Sequence, residues 1–289
     1  MFLNDSACNL ASLNLLKFRN QEQEFDLDGF THAIRVVLTA QEVIVSNASY
    51  PSEKIQRNSE KFRPLGLGYA NLGALLMSYG LPYASHKGCA YAAAITAIMT
   101  GEAYRQSALM AAVKGPFSGY KNNQAAMIGV MHMHKDAVED IDTKAVPASF
   151  VEKARNAWLQ AIEYGEEYGY RNAQASVLAP TGTIGFMMDC DTTGIEPDIS
   201  LIKYKKLVGG GLLKIVNATI PDALDRLGYE NGKKAAILEY LEKEETIEGA
   251  PFLNEEHLAV FDCAFKALKG TRTIAPMGHV NMMAAVQPF

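Results

Sequence analysis

The stretch from Asn172 to Asp198 constrains this chain more than any other, because it spells a strand, a tight turn and a helix start in immediate succession. Asn172-Ala173-Gln174-Ala175-Ser176-Val177-Leu178 alternates polar and apolar residues with the period of a half-buried strand. It runs into Ala179-Pro180-Thr181-Gly182-Thr183-Ile184-Gly185. There Pro180 lacks a backbone donor, Gly182 lets a ligand come close to the main chain, and Thr181 and Thr183 add hydroxyls. A helix beginning across Ile184 to Met188 would aim its unpaired amides and the positive end of its dipole at an anion in the turn, and a diphosphate suits that arrangement. A ligand-free capping turn has the same spelling, and the pattern alone leaves both readings open. No Gly-Lys-Ser or Gly-Lys-Thr follows at the spacing of a Walker loop.

The remainder of the chain reads as α/β. Asp28 is placed to cap a helix through Phe30, Ile34, Val37, Leu38 and Val45, Ser85 an alanine-rich helix reaching about Val113, and a third helix runs from about Pro147 to Tyr168, ending at Gly169. The segments around Cys8, Gly66 and Val177 are strand-like, so the order is strand, helix, strand, helices, strand. No repeat or linker divides the 289 residues. A Rossmann reading fails, because Gly66-Leu67-Gly68 is followed by Asn71 where a third glycine belongs.

A net charge of -5 and the lack of basic runs interleaved with aromatics argue against a nucleic-acid polymer as partner. No apolar run approaches the ~20 residues of a membrane span, so the expectation is no membrane and a cytoplasmic location. Cys8, Cys89, Cys190 and Cys263 lie far apart without a Cys-x-x-Cys spacing, which disfavours a zinc ribbon or a disulfide scaffold.

Together with Ala7-Cys8-Asn9-Leu10-Ala11-Ser12-Leu13-Asn14-Leu15, the turn segment resembles the adenosylcobalamin-dependent (class II) ribonucleotide reductases. Pro64 to Gly73, Lys203 to Gly211 and Phe261-Asp262-Cys263-Ala264-Phe265 extend the similarity over nearly the whole chain. The resemblance implies that residues 1–289 are part of the ten-stranded α/β barrel of these enzymes. It implies that Cys8 belongs to a redox-active disulfide pair that reduces the substrate, while Pro180, Thr181, Gly182, Thr183 and Ile184 hold its phosphates. The substrate would be a ribonucleoside diphosphate, converted to its 2'-deoxy form for DNA synthesis, and the cofactor adenosylcobalamin. A thioredoxin-like reductant would restore the thiols.

The family's radical cysteine stands in an Asn-x-Cys-x-Glu motif, and no such triplet occurs here. That motif and the cysteine pair of the C-terminal tail are therefore expected on a missing N-terminal portion or complementing chain, and beyond Phe289. The metal-radical (class I) large subunit and a non-enzymatic nucleotide-binding remnant stand as alternatives.

Other residues carry less. His132-Met133-His134 does not suit a shared metal, since helical residues two apart diverge, and no protein metal site is expected. Cys190 lies between Asp189 and Asp191, a setting that raises a thiol's pKa. Cys263 reads as a structural strand residue, Glu196 as a rim or solvated carboxylate, and the Lys203–Lys206 cluster as a solvated face or a phosphate contact.

Overall fold

The computed structural model describes residues 3–206 and 209–289; of the Lys203–Gly211 motif, Leu207 and Val208 lie outside the described residues. The inner layer is a parallel pair, β1 (Asn9–Asn14) and β2 (Leu65–Ala70), in register from Asn9 with Leu65 to Asn14 with Ala70. On its other edge β2 meets the chain around Ser176, where Leu65 N donates to Gln174 O at 2.8 Å, Leu67 N to Ala175 O at 3.0 Å and Val177 N to Leu67 O at 2.9 Å. The strand expected over Asn172–Leu178 does not form as such: the segment makes one isolated parallel bridge, Ser176 with Leu67, and the few backbone bonds around it. Its first residue is diverted, since the Asn172 side chain donates to Glu42 at 2.6 Å and accepts from Ser107 at 2.8 Å.

Helices cover one face of these strands. In chain order they are α1 (Leu27–Asn47), α2 (Glu53–Phe62), α3 (Leu72–Ser78), α4 (His86–Lys114), α5 (Tyr120–Ala137) and α6 (Ala148–Tyr168). As expected, α4 is capped by Ser85, whose hydroxyl accepts from Gly88 N at 3.0 Å. Its alanines let α6 approach closely, and Gly101 makes room for the fully buried Trp158, because an added β-carbon would lie 3.1 Å from the indole. α6 ends at Gly169 with φ 75, a conformation that favours glycine. The cap of α1 is Asp26, not Asp28: Asp26 accepts from Gly29 N at 2.8 Å, whereas Asp28 sits in the first turn and pairs with Lys153 at 2.6 Å. The apolar face of α1 is otherwise as read, with Phe30, Ile34, Leu38 and Val45 buried.

The later part of the chain forms a second, smaller core. It contains an antiparallel hairpin of β3 (Ile202–Lys206) and β4 (Leu212–Val216), α8 (Ile220–Arg226) and α9 (Asn231–Glu244); α7 (Gly182–Met187) precedes it, and α10 (Pro276–Val286) returns to α4 in the first core. Ile220, Leu224, Ile237, Leu241 and Phe261 fill the second core. Cys263 is buried here, but not in a strand: it follows a 3-10 turn (Glu255–Phe261), and its carbonyl accepts from Ile274 N at 2.9 Å. The described residues are mostly helical and contain two short two-stranded sheets; no barrel closes among them. No described helix is long and apolar enough to cross a membrane.

Candidate functional site

Side chains alternate along a strand, so the register of β1 and β2 divides the sheet into two unlike faces. Leu13, Leu65, Leu67 and Tyr69 point toward the helices and are buried, three of them completely. The opposite face carries Cys8, Leu10, Ser12 and Asn14 from the first strand and Gly66, Gly68 and Ala70 from the second. It is only partly covered: Leu10 is 60% exposed and Cys8 half-buried, whereas Asn14 and the β2 residues are buried, and the Ser12 hydroxyl is buried with no hydrogen-bond partner among the described residues. The thiol of Cys8, the Leu10 side chain and Val177 converge above Gly66, where an added β-carbon would lie 3.1, 2.5 and 2.7 Å from them. Burial raises the Cys8 pKa, so near neutrality the group is the protonated thiol.

The Pro180–Ile184 turn is tied to the carboxyl ends of the same strands. Asn71, fully buried at the end of β2 in a left-handed conformation (φ 72), donates to Asn14 Oδ1 at 2.9 Å and accepts from Thr192 N at 3.0 Å. Asn14 in turn donates to Met188 O at 3.0 Å. Thr181 is buried with φ 53, and its hydroxyl accepts from Gly194 N at 2.7 Å, which pins one side of the turn to the other. Pro180, Gly182, Thr183 and Ile184 face solvent. The helix begins at Gly182, two residues earlier than expected, and the amides of Gly182, Thr183 and Ile184 have no partner among the described residues. Such a cluster of free amides suits an anion.

The lysine cluster separates into different roles. Lys203 donates to the buried Asp198 at 2.8 Å and to Asp191 O at 2.6 Å, so it holds the fold. Lys205 lies 4.1 Å from the centre of the Phe186 ring. Because Phe186 is four residues from Gly182 on α7, that ammonium sits over the helix face that also carries Gly182. Between α7 and the hairpin opens a cleft of about 490 Å³ lined by Phe186, Asp191, Ile199, Tyr204 and Leu213, within the size range of small-molecule sites. Cys190 borders it; burial first, then the Asp191 and Asp189 charges, push its pKa up to about 11, which makes it a poor nucleophile. Burial also raises the pKa of Asp191, which accepts from Ala218 N at 2.8 Å.

The histidine pair does diverge. His134 stacks on Trp158 with ring centroids 5.0 Å apart and bonds Pro288 O at 2.6 Å, while His132 turns to Glu166 at 3.8 Å. Glu196 is exposed, 3.8 Å from His279. Sequence reasoning missed Asn14, Asn71, Thr192 and Ser12. An asparagine between a buried strand and a helix, as in Ala70-Asn71-Leu72, was the available signal for a left-handed junction.

Comparison with known proteins decides the family. The family described as "Ribonucleotide reductase, barrel domain" matches residues 2–289. The chain belongs to that family. Among similar reductases, the vitamin B12-dependent ribonucleotide reductase of Rhodopirellula baltica is 56% identical over 289 residues, all of this chain and 28% of that protein. Those of Streptomyces clavuligerus and Streptantibioticus cattleyicolor are each 48% identical, with this chain covering 30% and 50% of them. The chain therefore spans half or less of these reductases' own length.

Proposed function

We propose that this chain forms the substrate-facing part of a ten-stranded reductase barrel that converts ribonucleoside diphosphates to 2'-deoxyribonucleoside diphosphates. The observation that carries the proposal is that Cys8 sits over Gly66, on the face of β1 and β2 away from the helices, and that the carboxyl ends of these strands anchor the Pro180–Ile184 turn. The unpaired amides of Gly182, Thr183 and Ile184 bind the phosphates, with Thr181 bracing the turn and Pro180 ending the incoming strand. Lys205, displaced from Phe186, adds a neutralising charge.

Cys8 supplies one of two thiols. Reduction of the ribose takes two electrons and two protons from the pair; the 2'-hydroxyl leaves as water, a hydrogen replaces it, and the thiols close to a disulfide. A burial-raised pKa serves this role, because it keeps the proton on the Cys8 sulfur until transfer. The second cysteine comes from another part of the reductase, and a thioredoxin-like reductant reopens the disulfide in the cytoplasm. Adenosylcobalamin supplies the radical that starts the reaction. The cleft between α7 and the hairpin fits its adenosyl arm in size and chemistry, with Phe186 and Tyr204 offering rings and Asp191 a carboxyl group.

The test is Cys8→Ser in the full-length reductase. Multiple turnover with an external dithiol is lost while nucleotide binding persists. Undiminished turnover would leave only a nucleotide-binding role, and activity without the corrinoid would favour a metal-radical reductase.

A further inference from the structure

Two glycines face the interior along β2, although glycine in a strand costs about 0.5–1 kcal/mol relative to alanine. They are there for different reasons. At Gly68 a β-carbon would lie 2.2 Å from Val177 O, a backbone atom of the neighbouring segment, so the sheet itself demands glycine. At Gly66 the three nearest atoms belong to side chains. The atoms a β-carbon would meet are Leu10 Cδ2 at 2.5 Å, Val177 Cγ1 at 2.7 Å and Cys8 Sγ at 3.1 Å, all in side chains. Two are ends of replaceable hydrocarbon groups. The third is the thiol.

From this contrast we infer that Gly66 is a positioning residue for ribonucleotide reduction: its bare α-carbon is the seat on which the Cys8 sulfur rests. The inference builds on the proposed redox role of Cys8. Ordinary contact needs a separation of about 3.5–4.0 Å, so a methyl group at position 66 would push the sulfur by about half an ångström. Displacement on that scale matters, because disulfide closure demands a sulfur–sulfur distance near 2.05 Å and a narrow range of dihedral angles. Constellations of reacting groups tolerate about 0.5 Å. Cys8 meets β2 where that strand lacks a side chain.

The test uses the full-length reductase and separates the sulfur from the two carbon contacts. Leu10→Ala/Val177→Ala serves as the background, since it removes both hydrocarbon obstacles, and Gly66→Ala is added to it. Of these three neighbours the added methyl then meets only the thiol. The expected result is a fall of about tenfold or more in kcat against the background, with KM for the nucleotide within about twofold. Disulfide formation at Cys8, followed by thiol labelling after a single turnover, slows in parallel while the melting temperature stays that of the background. Equal kcat and equal disulfide yield with and without Gly66→Ala would overturn the proposal. Cys8→Ser is measured alongside: if it keeps turnover, the redox reading has failed, whereas an inactive Cys8→Ser beside a fully active Gly66→Ala background defeats only the role of Gly66. Should the triple variant fail to fold, Gly66→Ala with Val177→Ala alone repeats the comparison, because the exposed end of Leu10 is free to swing aside.

Discussion

Asn71 gives the sharpest test of how the turn is held, because backbone and side chain contribute separately. Asn71→Ala removes the acceptor of Thr192 N, a buried donor that has no other partner among the described residues. Stranding such a group costs about 1–3 kcal/mol. Asn14 Oδ1 loses one of its donors but keeps Leu16 N at 3.2 Å, so its penalty is smaller. Alanine must also adopt the left-handed conformation at φ 72, which asparagine tolerates better; that adds about 1–2 kcal/mol. The sum is about 2–5 kcal/mol, a large share of a typical domain's stability. Asn71→Gly keeps the conformation and loses the hydrogen bonds, so it should still cost about 2–3 kcal/mol. The assay is urea unfolding of both variants, with the m-value checked for constancy. A neutral Asn71→Gly beside a costly Asn71→Ala would refute the argument, since the residue would then be needed only for its backbone.

Glu42 is expected to respond strongly to loss of charge. It is buried and accepts from Arg63 Nε at 2.5 Å, Arg171 Nε at 2.7 Å and Asn172 Nδ2 at 2.6 Å, so Glu42→Gln leaves the buried Arg63 uncompensated and should cost about 3–5 kcal/mol in urea unfolding. The pH dependence follows from the thiols. Burial raises Cys8 and Cys190 above their ordinary range, so between the unfolded and folded pKa values the native state binds more protons and stability falls as pH rises. Iodoacetamide labelling of the native chain, read by peptide mass, should accelerate for Cys190 only near pH 11; half-maximal labelling of Cys190 at an ordinary thiol pKa would contradict the buried, acidic surroundings assigned to it.

What was legible in the sequence was what local chemistry decides. Ser85 and Gly169 mark helix ends through contacts within a few residues, and Phe30, Ile34 and Leu38 announce an apolar face by spacing alone. The cap of α1 was misplaced by two residues because Asp26 and Asp28 offer the same chemistry, and only the backbone path decides which carboxylate reaches Gly29 N. The alternation around Val177 predicts a strand, but only the isolated bridge of Ser176 with Leu67 forms, and Asn172 is drawn away by Glu42, 130 residues distant in sequence. The bracing of the turn was illegible for the same reason: Asn14 reaches Met188 across 174 residues and Asn71 reaches Thr192 across 121. The second core also escaped notice, as the outer ends of β3 and β4 are exposed on both faces and carry no alternation.

The two faces of the β1–β2 pair bear on the proposed barrel. Parallel strands occur almost always with both faces covered, because the crossovers that join them place layers above and below. Here one face is sealed by α1 and α4 through Leu13, Leu65, Leu67 and Tyr69, while on the other Leu10 is 60% exposed beside a half-buried thiol and a buried serine hydroxyl without a partner among the described residues. A strand face that leaves a leucine exposed and a buried hydroxyl unpaired is covered only in part and lacks the rest of its opposite wall. The reductases of Rhodopirellula baltica and Streptomyces clavuligerus have most of their length outside the matched region, enough to supply that wall. If they do, the space above Gly66 becomes an enclosed chamber whose floor is backbone and whose sulfur carries its proton, the setting that reduction of a ribose by a thiol pair requires.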